Sequence, residues 1–100
     1  MTQIYCLTEF DDKMEQQGCK MFMTLEGVAK WLTRHKTIDN KMSVTDSRLA
    51  GDYDITAENL ETIMTECKKN NLVALLTFEW DFLVETITSK YTLSTIDVHE

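Results

Sequence analysis

The two histidines of the sequence, His35 and His99, are its side chains best suited to acid–base work near neutral pH. His35 follows Val28 and Leu32 at helical spacing, which predicts a place on that apolar face or at the C-terminal end of the helix, where a cation is favoured. We expect His99 to be mobile, because it lies one residue from the last position of the sequence. Neither histidine stands at a recognisable spacing from a nucleophile or an activating carboxylate, so the sequence predicts that the protein is not an enzyme.

The other candidate metal ligands also lack the spacing of a known site. The three cysteines, Cys6, Cys19 and Cys67, form no C-x2-C pair and the histidines form no H-x3-H pair, so no zinc site is predicted. The carboxylates Asp46, Asp52 and Asp54 are near one another in the sequence, but the D-x-[DN]-x-[DN]-G pattern of a calcium loop is absent. A glycine-rich phosphate loop is absent as well. We therefore expect neither a metal nor another cofactor.

The odd number of cysteines, in a sequence without a secretory signal, predicts free thiols in a reducing cytoplasm. Cys6 and Cys19 lie on the two arms of a predicted β-hairpin. If its turn is centred near Lys13–Glu15, Cys6 faces Phe22 and the two cysteines are out of register. The sequence therefore predicts no disulfide.

Length and composition indicate a single globular domain over residues 1–100. Hydrophobic residues make up 43% of the sequence and charged residues 27%, a balance typical of a folded domain and unlike that of a disordered chain. No apolar stretch reaches the roughly 18 residues of a membrane span. Charged residues such as Glu79 and Glu85 interrupt the best candidate.

The N-terminal part of the sequence predicts a β-hairpin followed by a helix. Gln3–Phe10 and Cys19–Met23 are rich in strand-forming residues, and the polar stretch Asp11–Gly18 between them predicts a connecting loop. Thr24 is suited to cap a helix, because its hydroxyl can accept a hydrogen bond from a free N–H of the first turn. The apolar spacing that follows predicts a helix over Leu25–Lys36.

The same capping pattern predicts a second helix. Thr56 is its expected N-cap, apolar residues at helical spacing continue to Cys67, and Asn70 can close the helix. The segment between the two helices gives a weaker signal. Ser43–Leu49 is compatible with a short strand or an ordered loop, and Ala50–Asp52 predicts a turn.

The longest apolar run of the sequence, Leu72–Val98, is the segment against which the rest of the chain must pack. Its β-branched and aromatic residues favour three strands, Leu72–Trp80, Phe82–Ser89 and Tyr91–Val98. The apolar spacing also fits one face of a third helix over Leu72–Thr88, and periodicity does not separate these alternatives. With the strands preferred, the predicted fold is α+β in the order ββα–α–βββ, with one mostly antiparallel sheet packed by two amphipathic helices.

Charge is the property of the sequence that bears most on function. Seventeen acidic and ten basic residues give a formal net charge of −7, which argues against direct binding to nucleic acid phosphates or to an anionic membrane. On one interpretation the acidity only keeps the protein soluble. On the other, acids in the hairpin loop and along the second helix form a docking surface for a basic partner, with a tyrosine among them as a contact anchor. The candidate partner-binding residues are Asp11, Asp12, Glu15, Asp52, Tyr53, Asp54, Glu58 and Glu61.

A hairpin with an acidic loop leads into a helix start of the pattern F-x-[ST]-L-E-x-[AV]-x-x-[WF]. The matching residues are Phe22, Thr24, Leu25, Glu26, Val28 and Trp31. Over this N-terminal third the sequence resembles small acidic proteins encoded by phages and prophages, several of which are anti-CRISPR or other anti-defence inhibitors. The resemblance implies a protein that binds a host effector and carries no chemistry of its own, and it assigns no functional residue.

The function predicted from these observations is that of a non-enzymatic binding protein. It would be a phage-type inhibitor in the host cytoplasm that places an acidic surface on a basic groove of a nucleic-acid-processing effector, as a monomer or a homodimer. The alternative is a structural or self-assembling module. In that case an edge strand such as Tyr91–Val98, or the hairpin that contains Gln3–Phe10, pairs with another copy.

Overall fold

The computed structural model of the protein describes residues 2–11, 13–37, 39–45, 49–70, 75–82 and 85–98. These residues form an α+β fold in which two helices pack on one face of a six-stranded antiparallel sheet. In chain order the elements are β1 (Thr2–Phe10), β2 (Gln16–Phe22), α1 (Leu25–His35), β3 (Lys41–Thr45), β4 (Gly51–Asp54), α2 (Ala57–Lys69), β5 (Leu75–Phe82) and β6 (Glu85–Val98). Across the sheet the strands lie in the order β2-β1-β6-β5-β3-β4. The predicted fold class is therefore confirmed.

Both helices begin after the predicted threonines. The Thr24 hydroxyl accepts a hydrogen bond from the Gly27 N–H at 3.0 Å, and the Thr56 hydroxyl accepts one from the Asn59 N–H at 3.1 Å. Each bond satisfies an N–H group that the first turn of a helix leaves without a partner inside the helix. The start of each helix is thus determined by residues that are close together in the sequence.

The core lies between the helices and the sheet face that they cover. Val28 and Leu32 of α1 and Leu60 of α2 are completely buried, and they belong to one cluster with Leu7 of β1 and Leu76 of β5. Every second side chain of a strand points to the same face of a sheet, so each strand contributes alternate residues to this core. Burying one such side chain contributes about 1.5–3 kcal/mol, which explains why the helices are held on this face.

The predicted β-hairpin is present, but its register differs by one residue from the prediction. Cys6 lies opposite Met21 instead of Phe22. Cys19, two residues from Met21, therefore points to the same face as Cys6. The Cα atoms of the two cysteines are 6.5 Å apart, and their sulfur atoms form a disulfide. The prediction of no disulfide, with both thiols free, is wrong, because a shift of one residue moves a side chain to the opposite face of the strand.

The segment between the helices forms two strands that the sequence did not define. β3 begins before the predicted strand or loop at Ser43–Leu49, and β4 includes part of the predicted turn at Ala50–Asp52. The observed order is therefore ββα–ββ–α–ββ, and the predicted order ββα–α–βββ is wrong. β3 pairs with β5, with Val44 opposite Leu76. This contact joins residues far apart in the sequence, so local propensity did not define the strand.

The C-terminal apolar run forms strands. In the range Leu72–Thr88, where a third helix is the alternative, the described residues belong to β5 and β6. Two strands replace the three predicted, because β6 continues unbroken through Lys90, the residue that separates the second and third predicted strands. β6 is long because it pairs with β5 as far as Tyr91 and with β1 from Lys90 to Val98. Residues 72–74 of the first predicted strand lie outside the described residues.

Candidate protein-docking face

The helices cover one face of the sheet, and we call the opposite face the open face. The alternation of side chains along β3 shows which residues belong to it. Met42 and Val44 are buried in the core, whereas Ser43 between them points to the open face. Asp52 of β4 lies directly opposite Ser43, so its carboxylate is on the open face as well.

Two aspartates of β4 are held on the open face by side chains of β3. The Asp52 carboxylate accepts a hydrogen bond from the Ser43 hydroxyl at 2.6 Å. The Asp54 carboxylate forms an ion pair with Lys41, which is its cross-strand partner. Because both aspartates belong to a strand that is paired in the sheet, the backbone determines where their charges lie.

Two further carboxylates complete the group. Asp39, just before β3, and Glu79, on β5, both line a shallow recess of about 350 Å³ on the open face. The described lining of this recess is Asp39, Lys41, Ser43, Asp52, Thr77 and Glu79. The name acidic patch is given to the four carboxylates of Asp39, Asp52, Asp54 and Glu79. With Lys41 among them, four carboxylates and one lysine carry a formal charge of −3.

The charges and hydrogen bonds of the acidic patch shift the pKa values of two groups, Lys41 and Asp39. The pKa of Lys41 is raised above its usual 10.5, mainly by the hydrogen bond and charge of Asp54 and further by the charges of Asp39 and Asp52. The pKa of the Asp39 carboxyl is lowered below its usual 3.8. The main cause is the hydrogen bond that the Thr37 hydroxyl donates to it at 2.6 Å, followed by that from the Lys41 N–H at 3.0 Å. Both groups are therefore charged at neutral pH.

The acidic patch has the chemistry of a surface that accepts cationic side chains. All four of its residues are exposed. Carboxylates of this kind accept strong, charge-assisted hydrogen bonds from lysine and arginine, and arginine can place two N–H groups on one carboxylate. Within the described ranges, no group of three or more His, Cys, Asp or Glu side chains is arranged to hold a metal ion.

The described acids of the hairpin turn, Asp11 and Glu15, do not belong to the acidic patch. From the end of β1, two steps between neighbouring strands lead to β5, which carries Glu79, and four steps lead to Asp52 on β4. These steps correspond to about 10 Å and about 19 Å across the sheet, at about 4.8 Å a step. The Asp11 carboxylate also serves its own turn, accepting hydrogen bonds from the N–H groups of Lys13 at 2.9 Å and Glu15 at 2.8 Å. The predicted residue Asp12 lies outside the described residues.

The remaining predicted residues lie on the helix side of the sheet. Glu58 and Glu61 are exposed on α2, which packs on the covered face. Tyr53 alternates with the two aspartates of β4 and therefore points away from the acidic patch. It packs against the core, and its hydroxyl donates a hydrogen bond to the Leu49 carbonyl at 2.6 Å. The predicted acidic residues thus form three separate groups, of which only the β4 aspartates belong to the patch.

Sequence reasoning missed two residues of the acidic patch, Asp39 and Glu79. The signal for Glu79 is the alternation of buried Leu76 and Phe78 with Thr77 and Glu79, which places the latter two on the opposite face of a strand. For Asp39 the sequence carries no such signal, because it precedes a strand that only the pairing with β5 defines.

A second cluster of charged and aromatic side chains lies at the C-terminal end of α1. The ring centroid of Trp31 is 5.5 Å from that of His35 and 6.1 Å from that of Tyr91. The Lys36 Nζ lies 5.6 Å from the Trp31 centroid, 5.9 Å from the Tyr91 centroid and 4.0 Å from the Glu9 carboxylate. His35 is exposed at this helix end, which is one of its two predicted placements.

The Tyr91 hydroxyl is buried beside this cluster. Among the described residues it forms no hydrogen bond of good geometry, although the Glu9 carboxylate is close enough to act on it. Burial, followed by the charge of Glu9, raises the pKa of Tyr91 above its usual 10.0. The hydroxyl therefore stays protonated at neutral pH, and the ring serves to pack α1 against the sheet. The second histidine of the sequence, His99, lies outside the described residues.

Comparison with protein-family models, with curated proteins and with solved structures returned no match. Neither of the two described helices combines the length and the apolar composition that crossing a membrane requires. The geometry of the acidic patch is therefore the basis on which a function is assigned.

Proposed function

We propose that this protein is a non-enzymatic binding protein, which docks through its acidic patch onto a surface rich in lysine and arginine on another protein. The observation that carries the proposal is the placement of four exposed carboxylates on a sheet face that no described helix covers. Lys41 is the cation of the described recess, and its ion pair with Asp54 leaves Asp39, Asp52 and Glu79 available to a partner.

The charge of the whole chain supports the same role. A net charge of −7 attracts a basic surface from a distance, and the acidic patch then determines where contact is made. One exposed ion pair contributes only about 0.2–1 kcal/mol. Several must therefore form together, which favours a partner with clustered basic side chains over one with a single lysine.

The resemblance of the N-terminal third to phage-encoded anti-defence proteins supports a narrower form of the proposal. In this form the partner is a nucleic-acid-processing effector of the host, and the carboxylates of the acidic patch occupy a basic groove that otherwise receives phosphates. Binding then inhibits the effector by occupying its nucleic acid site. No catalytic step is required of this chain.

An NMR titration with an oligolysine peptide tests whether the acidic patch is the binding surface. We expect the largest changes in backbone amide signals at Asp39, Lys41, Ser43, Asp52, Asp54 and Glu79. These changes should diminish at about 0.5 M salt, where the screening length is only a few ångströms. Changes concentrated at α2 or at the hairpin turn would place the binding surface elsewhere.

Affinity capture from a host lysate, followed by mass spectrometry, identifies the natural partner, and paired variants then locate the contact. Asp52→Asn combined with Glu79→Gln removes two charges from the acidic patch, and Glu58→Gln combined with Glu61→Gln removes two from α2. We expect the first pair to weaken binding by roughly tenfold or more and the second by less than about twofold. Equal losses in the two double variants would mean that net charge acts, and not the acidic patch.

A further inference from the structure

We propose that β2 is a self-association edge, through which two copies of this chain join in an antiparallel β2–β2 pair. β2 is the outermost strand at one end of the sheet, and its described partner is β1. Its outer edge presents N–H and C=O groups that no described strand pairs, which is a template for another strand. Six of its seven residues are exposed. This edge is distinct from the acidic patch, which lies at the β4 end of the sheet.

The distribution of charge favours a second copy of the chain as the occupant of this edge. Two molecules that each carry a net charge of −7 repel one another, so they approach most easily where carboxylates are absent. β2 has the sequence QQGCKMF, without an acidic residue, whereas the opposite edge strand β4 has the sequence GDYD. A β4–β4 contact brings aspartates of both copies together, and a β2–β2 contact does not.

Of the devices that commonly protect edge strands, β2 has a register irregularity that leaves Gln17 without a cross-strand partner on β1, and it has few others. Lys20 is its one charged residue, and proline is absent. Charged side chains on an edge normally oppose pairing with another chain. The Lys20 Nζ instead lies 5.4 Å from the centroid of the Trp31 ring on α1. The charge is therefore directed toward the helix and leaves the outer edge of β2 accessible.

Two-fold symmetry limits the register of the proposed pair. In an antiparallel β2–β2 pair the two-fold axis is perpendicular to the sheet. One residue of β2 therefore lies directly opposite the same residue of the second copy. With Cys19 on the axis, Lys20 faces Gly18 of the second copy, and regular pairing extends from the axis as far as Gln17, where the register of β2 against β1 shifts. With Lys20 on the axis, two like charges face each other, which disfavours that register. The Cys19 register also brings Met21, which is 64% exposed, beside Gln17 of the second copy and removes apolar surface from water.

Sedimentation equilibrium of the full chain tests the proposal. We expect a reversible dimer whose dissociation constant rises by roughly tenfold or more in the Met21→Glu variant, which places a new carboxylate at the edge of each copy. Ile96→Glu is the matched control, because it adds the same charge to the open face on β6, and its dissociation constant should stay within about twofold of the original. A monomer at concentrations up to about 1 mM, or equal weakening by both variants, would overturn the proposal.

Salt distinguishes this proposal from the function assigned to the acidic patch. Screening weakens the attraction between the acidic patch and a basic partner, and it also weakens the repulsion between two copies of this chain. We therefore expect the dimer to become stronger between low salt and about 0.5 M salt, whereas oligolysine binding becomes weaker. A dimer that dissociates as salt rises would contradict the charge argument for β2.

The register is tested by disulfide trapping. In the Cys6→Ser variant Cys19 has lost its disulfide partner. In the proposed dimer the Cα atoms of the two Cys19 residues would lie about 4.5–5.5 Å apart, within the range of about 4.4–6.8 Å that a disulfide requires. Oxidised glutathione should then accept the two electrons and two protons of the thiol pair and leave a covalent dimer. Cys19→Ser is the matched control, because it leaves Cys6 on the interior strand β1. An absence of covalent dimer in the first variant, or an equal yield in the second, would refute the register.

Discussion

Lys41 and Asp54 lie directly opposite each other on β3 and β4, and their side chains form an ion pair on the open face of the sheet. Both side chains are more than half exposed, at 55% and 65%. An ion pair with this exposure contributes about 0.2–1 kcal/mol to stability. Its larger effect is on charge, because Lys41 neutralises one of the four carboxylates that a basic partner would meet.

Replacing Lys41→Met should therefore change binding more than stability. We expect the affinity for an oligolysine peptide to rise by roughly threefold to tenfold, and the free energy of unfolding in urea to fall by less than about 1 kcal/mol. Lys13→Met, in the hairpin turn, is the control, since it changes the net charge by the same amount away from the acidic patch. An equal gain in affinity in both variants would contradict the prediction.

The hydrogen bond from Thr37 to Asp39 predicts a specific behaviour in acid. The pKa of Asp39 is lowered in the folded protein, so its carboxylate contributes stability that is present above pH 3.8 and is lost as the pH falls through the folded value. An NMR titration of the Asp39 side chain should give a midpoint below 3.8, and Thr37→Val should raise that midpoint. The stability of Asp39→Asn should depend less on pH in this range. Equal Asp39 midpoints in the wild type and Thr37→Val would show that Thr37 does not act on the carboxyl.

The disulfide between Cys6 and Cys19 predicts a stability that depends on reductant. Its sequence separation is 13 residues, and closing a loop of about 15 residues contributes about 3 kcal/mol through the unfolded state. Urea unfolding with and without a phosphine reductant should show a difference of that order. In Cys6→Ser the reductant should have no effect. Superimposable curves for the wild type would mean that the disulfide does not contribute to stability.

Removing the hydroxyl groups of Tyr91 and Tyr53 should change the free energy of unfolding in opposite directions. The Tyr91 hydroxyl is buried without a hydrogen bond of good geometry among the described residues, with the Glu9 carboxylate near it, so Tyr91→Phe should raise the free energy of unfolding by up to about 1 kcal/mol. The Tyr53 hydroxyl donates to the Leu49 carbonyl, so Tyr53→Phe should lower it by about 1 kcal/mol. Chemical denaturation of both variants checks the signs. Destabilisation by Tyr91→Phe would reveal a partner for its hydroxyl.

Prediction from the sequence succeeded where a feature depends on neighbouring residues. Thr24 and Thr56 cap the two helices as predicted, because a cap joins a side chain to an N–H three residues away. Prediction failed where a feature depends on pairing. β3 and β4 were not defined, and the predicted break in β6 at Lys90 is absent, because these strands are determined by the strands beside them.

In the candidate site, too, prediction from the sequence fails where a residue's position depends on strand pairing. The sequence predicts Asp52 and Asp54 as binding residues, and it also predicts Tyr53 between them as a contact anchor, whereas Tyr53 points to the core. The sequence predicts the hairpin acids on the same surface, whereas the sheet places them two strand steps from the strand of Glu79 and four from Asp52. Asp39 and Glu79 join the patch only because β3 and β5 are neighbours.

The sequence by itself determined the α+β class, the positions of both helices and a strongly acidic molecule, because these depend on composition, capping and local periodicity. The tertiary structure alone decided the strand order, the disulfide, the four carboxylates that form the acidic patch and the exposed edge at β2. The physical reason is register. A side chain on a strand takes its face and its neighbours from the strand opposite, and that strand comes from a distant part of the chain.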